Sequence, residues 1–269
     1  MANQFTPLTV RPVRAFADNY IWLIESPTAP QRVVAVDPGE AAPVLAELRR
    51  SGTSLAAILL THHHADHIGG VEELLGQADV PVFGPDDRRI AFKMRPVQDA
   101  GRCELPELGL GFDILGVPGH TLTHIAFWGH GALFCGDTLF SAGCGRLFEG
   151  TPSQMNTSLN RLRDLPPQTR IYCGHEYTAA NLRFALAVDP ANAAALEYRD
   201  ALGQARTADA PGGLTPSLPS LLSLERRVNP FLRCGEPTVR AAAERHVGAT
   251  LAGEAEVFGA LRAWKDRFP

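Results

Sequence analysis

Leu55-Ala-Ala-Ile-Leu-Leu60 runs directly into Thr61-His62-His63-His64-Ala65-Asp66-His67, and the reading of this stretch decides the fold. The six apolar residues read as a buried strand. Gly69-Gly70 and the apolar-periodic Val71 to Leu75 then read as the start of a helix. The histidines therefore lie on a strand-to-helix turn, at the C-terminal edge of a sheet, where open α/β sheets place ligand sites. Imidazoles with a carboxylate between them suit zinc, iron or manganese. In an extended turn alternate residues point the same way, so His62 and His64 share one ion while Asp66 and His67 reach a second.

Three further ligand types stand at the ends of short apolar runs, each beside a glycine. They are His120 in Gly116-Val-Pro-Gly-His120, Asp137 in Leu133-Phe-Cys-Gly-Asp137, and His175 in Arg170-Ile-Tyr-Cys-Gly-His175. A lone glycine-histidine pair is weak evidence, but three such junctions beside the histidine cluster form a set. His62, His64 and His120 would hold one ion; Asp66, His67 and His175 would hold the other; Asp137 would bridge them. Paired ions share a water and lower its pKa towards neutrality. His63 would point away from its neighbours. His124 reads as near the site or structural, and His130 and His246 read as surface residues.

Outward from the cluster, Leu8 to Phe16, Tyr20 to Glu25 and Arg32 to Val36 read as successive strands. Ala42 to Arg50 reads as a helix stopped by Gly52. Val80 to Phe83 reads as a strand and Glu104 to Gly116 alternates like strands facing a core. His124 to Trp128 and Ala132 to Cys135 read as a hairpin across Gly129-His130-Gly131. Beyond His175 the texture becomes Ala-, Leu- and Arg-rich, with helical spacing over Thr178 to Val188, Ala191 to Arg206, Pro237 to Val247 and Glu254 to Phe268. A Pro/Gly/Ser-rich loop, Ala210 to Ser220, interrupts them. The expected organisation is an α/β catalytic domain over 1–176 and a helical C-terminal domain over 177–269.

The totals agree with such an enzyme. A length of 269 residues fits one large domain or a main domain with an appendage. A net charge of −4 gives no electrostatic case for nucleic acid. No stretch approaches the ~20 apolar residues of a membrane span. The five scattered cysteines contain no CxxC pair, which argues against a disulfide framework and for a reducing compartment. The chain is read as a cytoplasmic monomer.

The ligand pattern His62-x-His64-x-Asp66-His67, His120, Asp137, His175 resembles that of the metallo-β-lactamase superfamily. The resemblance implies an αββα sandwich with a dinuclear site at one edge. It is closer still to the glyoxalase II (hydroxyacylglutathione hydrolase) family. Thr61-His-His-His-Ala-Asp-His-Ile-Gly-Gly70, Gly119-His-Thr121, Phe134-Cys-Gly-Asp-Thr138, Gly143-Cys-Gly-Arg146, Phe148-Glu-Gly-Thr151, Gly174-His-Glu-Tyr-Thr178 and Arg262-Ala-Trp-Lys265-Asp-Arg-Phe268 carry it, so it covers nearly the whole chain. It implies two divalent ions, zinc first, with iron or manganese as alternatives. It also implies hydrolysis of the thioester S-D-lactoylglutathione to D-lactate and glutathione, the second step of methylglyoxal detoxification, by a metal-bridging hydroxide that Asp66 orients.

The family's glutathione contacts fall on Arg146, Tyr177, Arg262 and Lys265, with Phe148 beside them. Arg262 and Lys265, three apart on one helix, offer cations for glutathione's carboxylates. Arg146 stands where many relatives have lysine, and Phe148 where many have tyrosine. The competing readings are a lactonase, a β-lactamase-like enzyme or a nuclease on the same fold, a glutathione persulfide dioxygenase with one iron, and a non-catalytic metal-binding protein.

Overall fold

The protein is described by a computed structural model covering residues 8–208 and 216–269. Its contacts divide the chain into two compact units. One is Met1–Val117 with Thr123–Gly136 and Tyr172–His175; the other is Pro118–Leu122, Asp137–Ile171 and Glu176–Pro269.

The first unit opens with β1 (Val10–Ala15), β2 (Asn19–Glu25) and β3 (Arg32–Val36), paired antiparallel in sequence order. Helix α1 (Ala41–Ser51) then crosses to β4 (Ser54–Leu59). Short α2 (Ala65–Ile68) and α3 (Val71–Gln77) lead to β5 (Val82–Gly84) and an edge strand β6 (Arg95–Pro96). The pairings β3–β4, β4–β5 and β5–β6 are parallel, which requires such crossovers. Every residue of β2 but the last is buried, as expected of a strand covered on both faces. Ile21 and Leu23 join Val44, Leu48, Val71 and Leu74 in the core under α1 and α3. Trp22 faces the other way, onto a second sheet: its ring meets Tyr172 edge-on at 5.0 Å, and its Nε1 donates to the Cys173 carbonyl at 2.9 Å.

That second sheet begins with β7 (Arg102–Leu105), β8 (Leu110–Gly116), β9 (Ile125–Gly129) and β10 (Ala132–Gly136), each antiparallel to the next. The alternating run Glu104 to Gly116 is thus two strands, split where Pro106 removes a ladder donor and Gly109 turns the chain. The β9–β10 hairpin is as expected, with positive φ at both His130 (52°) and Gly131 (70°), the requirement of a type I′ turn. His130 is not the surface residue anticipated. It is half-buried against Phe112, accepts the Gly111 N–H at 3.3 Å, and its pKa is lowered by burial.

Next come a two-stranded ribbon, β11 (Leu139–Phe140) with β12 (Gly143–Cys144), helix α4 (Pro152–Arg163), and β13 (Arg170–Cys173). The last residues of β13 lie beside β10 and belong to the first unit. In the second unit, α5 (Thr178–Val188), α6 (Ala193–Ala208), β14 (Ser220–Leu221), α7 (Leu222–Val228), α8 (Pro237–Val247) and α9 (Glu254–Asp266) follow. Strand β14 pairs with the start of β13. Of the Ala210 to Ser220 loop, residues 210–215 lie outside the described residues, and the remainder runs into β14.

Two helices were not legible in advance. Ser-, Asn- and Thr-rich α4 has weak propensity and is held by a capping box, in which Thr151 and Gln154 each accept the other's backbone N–H. Helix α7 has only seven residues, too few for a periodic pattern. Among the described residues no helix is long and apolar enough to cross a membrane.

Candidate metal centre

Strand β4 delivers Thr61 to the Asp37 carboxylate at the end of β3. The Thr61 N–H donates to Asp37 Oδ1 at 2.8 Å and its hydroxyl to Oδ2 at 2.7 Å. Asp37 has φ of 51°, a left-handed conformation that aspartate tolerates better than most residues. With its one proton given to Asp37, the Thr61 hydroxyl accepts from His62 Nδ1 at 3.0 Å. That leaves the lone pair of His62 on Nε2, which lies 3.1 Å from His64 Nδ1. The His124 ring stacks on His62 at 4.6 Å, so His124 does lie near the cluster. His63 turns to Asp87, 3.5 Å away.

The same logic sets His67 and His175. Asp37 Oδ2 lies 3.1 Å from His67 Nδ1, and Asp18 Oδ1 lies 2.8 Å from His175 Nδ1. Both imidazoles thereby direct Nε2 lone pairs at Asp66 Oδ2, each from 3.5 Å. Asn19 Nδ2 donates to that same oxygen at 3.0 Å and fixes the carboxylate. Asp66, His67 and His175 offer one ligand atom each within 4.8 Å of one another, and Asp37, His62 and His67 form a second such group. Lone pairs facing a carboxylate repel unless a cation lies between them. The donor set therefore fits a divalent ion bound by nitrogen and oxygen.

The second unit brings His120 and Asp137 together. His120 Nδ1 donates to the Arg146 carbonyl at 2.9 Å, so its Nε2 lone pair faces Asp137 Oδ2 at 3.5 Å. Both side chains are buried. A Cβ on Gly145 would collide with the Asp137 carbonyl oxygen, so only glycine allows the chain to return this close.

The expected substrate contacts differ in character. Arg146 is exposed and lies 3.8 Å from Asp266. Phe148 is 64% exposed and meets the His120 ring edge-on at 5.2 Å. Tyr177 is half-buried against Phe140. Arg262 does not lie on a solvated helix face: it is 5% exposed, lies 5.3 Å from the Phe231 ring centroid, and donates to the Cys144 carbonyl at 2.9 Å and to Asp266 at 3.0 Å. Lys265 Nζ donates to the Ala180 carbonyl at 3.2 Å and lies over Phe184 and Phe268. Burial, helped by Arg262 and Arg183, pushes its pKa down to about 8.

Sequence reading missed the residues behind the ligands. Asp18, Asn19 and Asp37 stand at or beside strand ends, in short stretches whose composition is that of ordinary turns. The available signal was a carboxylate at a strand end facing the histidine cluster.

Residues 16–175 match the metallo-beta-lactamase superfamily, and residues 176–268 match the hydroxyacylglutathione hydrolase C-terminus. The hydroxyacylglutathione hydrolase of Pseudomonas fluorescens is 53% identical, covering 94% of this chain and 97% of the relative. That of Alkalilimnicola ehrlichii is also 53% identical, over 95% and 97%. Among solved structures, TTHA1623 in a di-iron-bound form is 28% identical with a TM-score of 0.58, covering 82% of this chain and 100% of that one. ETHE1 from Myxococcus xanthus, 22% identical, shares the fold with a TM-score of 0.62, over 96% and 98%. The fold is thus the expected mixed α/β metallo-β-lactamase fold with a helical C-terminal region. With a di-carboxylate, multi-histidine cluster at the sheet edge and relatives matching it almost end to end, the chain belongs to the hydroxyacylglutathione hydrolase family of the metallo-β-lactamase superfamily.

Proposed function

We propose that the chain hydrolyses S-D-lactoylglutathione to D-lactate and glutathione, the second step of methylglyoxal detoxification. The observation that carries this is the convergence of imidazole lone pairs on carboxylate oxygen in a chain whose hydroxyacylglutathione hydrolase relatives match it nearly throughout. His62, His64 and His120 would hold one divalent ion and Asp66, His67 and His175 the other, with Asp137 as the carboxylate that would serve both. Zinc is the metal proposed for both, with iron or manganese competent in the same donor set. Such ions, when bound, lower the pKa of a shared water and polarise the substrate carbonyl.

The chain's own residues do the rest. Asp18, Asp37, Thr61 and the Arg146 carbonyl hold the ligand tautomers. Asp66, with a side chain 41% exposed, orients the attacking water. Water adds at the thioester carbonyl, the C–S bond breaks, and the glutathione sulfur leaves as a weakly basic thiolate. Arg146, Tyr177, Arg262 and Lys265 bind the glutathione carboxylates and backbone, with Phe148 against the substrate. In this reading residues 1–176 supply the chemistry and 177–269 the substrate contacts. The protein works as a cytoplasmic monomer, and its five cysteines are buried thiols outside any disulfide, as suits a reducing compartment. The lactonase and persulfide dioxygenase alternatives are not favoured, because relatives matching this chain at 53% identity over nearly its whole length are hydroxyacylglutathione hydrolases.

The test is thiol release from S-D-lactoylglutathione by purified protein, with metal content determined on the same sample. Turnover should stop on chelation. Removing one ligand forfeits several kcal/mol of charge stabilisation, so His64→Ala should lower kcat/KM on the order of 10³-fold. A metal-loaded protein that releases no thiol would sink the substrate assignment.

A further inference from the structure

The ribbon between Asp137 and Arg146 is held by side chains that, Arg262 apart, the reaction as described does not use. Strand β11 pairs with β12 in the register Leu139↔Cys144 and Phe140↔Gly143, joined by Ser141 and Ala142. A two-stranded ribbon has little stability of its own. This one also places Ala142 at φ of 55°, a left-handed conformation disfavoured by its Cβ.

What holds it comes from α5, α7, α9 and the residue after α7. Glu225 of α7 is fully buried. Its Oε1 accepts the Ser141 hydroxyl at 2.8 Å, and its Oε2 accepts the Ala142 N–H at 2.7 Å and Asn229 Nδ2 at 3.3 Å. Asn229 Nδ2 also donates to the Phe140 and Gly143 carbonyls, at 3.1 and 2.9 Å. Asn181 donates to the Ser141 carbonyl at 3.0 Å and Arg262 to that of Cys144 at 2.9 Å. The carboxylate is thus the centre of the clamp on the strained turn.

Glu225 is an expensive way to build a clamp. Among the described residues none of its hydrogen-bond partners is charged, and burial raises its pKa. A buried carboxylate without a cation costs stability that an apolar core would not. The ribbon's base shows what the expense achieves. Gly145 N–H donates to the Thr138 carbonyl at 3.2 Å, closing the base. One end of that base is Asp137, and the other is the Arg146 carbonyl that accepts His120 Nδ1. Where the ribbon sits therefore sets both the Asp137 carboxylate and the tautomer of His120.

We infer that Glu225 is a positioning residue for the metal centre. By pinning the Ser141–Ala142 turn, it holds Asp137 and the Arg146 carbonyl so that Asp137 and His120 Nε2, 3.5 Å apart, would face one ion. This rests on the reading of His120 and Asp137 as ligands.

The experiment compares full-length wild type with Glu225→Ala, Glu225→Gln, Val228→Ala and His120→Ala. Zn²⁺ affinity of the stripped protein is measured by competition with a chromophoric chelator. Melting temperature, kcat and KM are taken on the same samples. Glu225→Ala should weaken Zn²⁺ binding about 10- to 100-fold, the range for residues that orient ligands. Its kcat should fall while KM stays within about twofold. Glu225→Gln keeps one acceptor for the Ala142 N–H and should recover most of both. Val228→Ala, a buried cavity on the same helix, should lower the melting temperature but leave Zn²⁺ affinity at the wild-type value.

Wild-type affinity in Glu225→Ala overturns the inference, as does an equal loss in Val228→Ala. If Glu225→Ala fails to fold, Ser141→Ala replaces it, and wild-type Zn²⁺ affinity and kcat there overturn the inference. Undiminished Zn²⁺ affinity in His120→Ala means the ligand reading itself has failed. Loss there, with the wild-type value in the Glu225 variants, removes only the role given to Glu225.

Discussion

At the scale of single residues, Lys265 has an environment that its position in the sequence does not announce. Its ammonium lies over two phenylalanine rings, and burial holds its pKa at about 8, against an ordinary 10.5. Below pH 8 both folded and unfolded chains carry the proton, and the folded protein bears the cost of burying the charge. Between about 8 and 10.5 the unfolded chain binds more protons than the folded one, so stability rises with pH across that window. Denaturant midpoints at pH 8 and 10 should show this rise in the wild type and lose it in Lys265→Met. If Lys265 also binds a substrate carboxylate, KM should climb above pH 8 in the wild type, and a flat KM would remove it from the site. Asp37 is the opposite case. Three donors converge on one carboxylate, from Thr61 N, Thr61 Oγ1 and His67 Nδ1. Nothing in Asp37-Pro38-Gly39 read alone separates that role from an ordinary turn.

Among the elements, α4 braces the turn that carries His120. Ser158 donates to the Pro118 carbonyl at 2.8 Å, and Gly119 packs on Met155 so closely that a Cβ there would lie 2.8 Å from the methionine side chain. Gly259 of α9 fits against Pro152 on the same helix. The start of α4 depends on Thr151, whose side chain accepts from Gln154 N while Gln154 Oε1 accepts from Thr151 N. Thr151→Ala should therefore cost about 1 kcal/mol of stability, read from urea unfolding. An unchanged midpoint would mean the neighbouring packing, not the cap, sets where α4 begins.

For the molecule as a whole, the division at 176 that the sequence invites cuts across the second unit. The ribbon's carbonyls and its strained turn are satisfied by Asn181, Glu225, Asn229 and Arg262, all beyond that point. Expressed alone, residues 1–176 should lack fixed tertiary packing, bind ANS and show weak near-UV circular dichroism. A cooperatively unfolding, soluble fragment would show that the ribbon does not need these partners. By itself the sequence determined the strand-to-helix turn bearing His62 to His67, the three glycine-flanked junctions at His120, Asp137 and His175, and the helical texture after His175. These are local signals, set by apolar runs, periodicity and residue chemistry within a few positions. Only the tertiary structure decided that Asp37 and Asp18 hold His67 and His175, that Arg262 is buried rather than solvated, and that Glu225 grips Ala142. Each joins residues at least 30 positions apart, and such contacts arise from how sheets and helices pack, which no local pattern in the chain encodes.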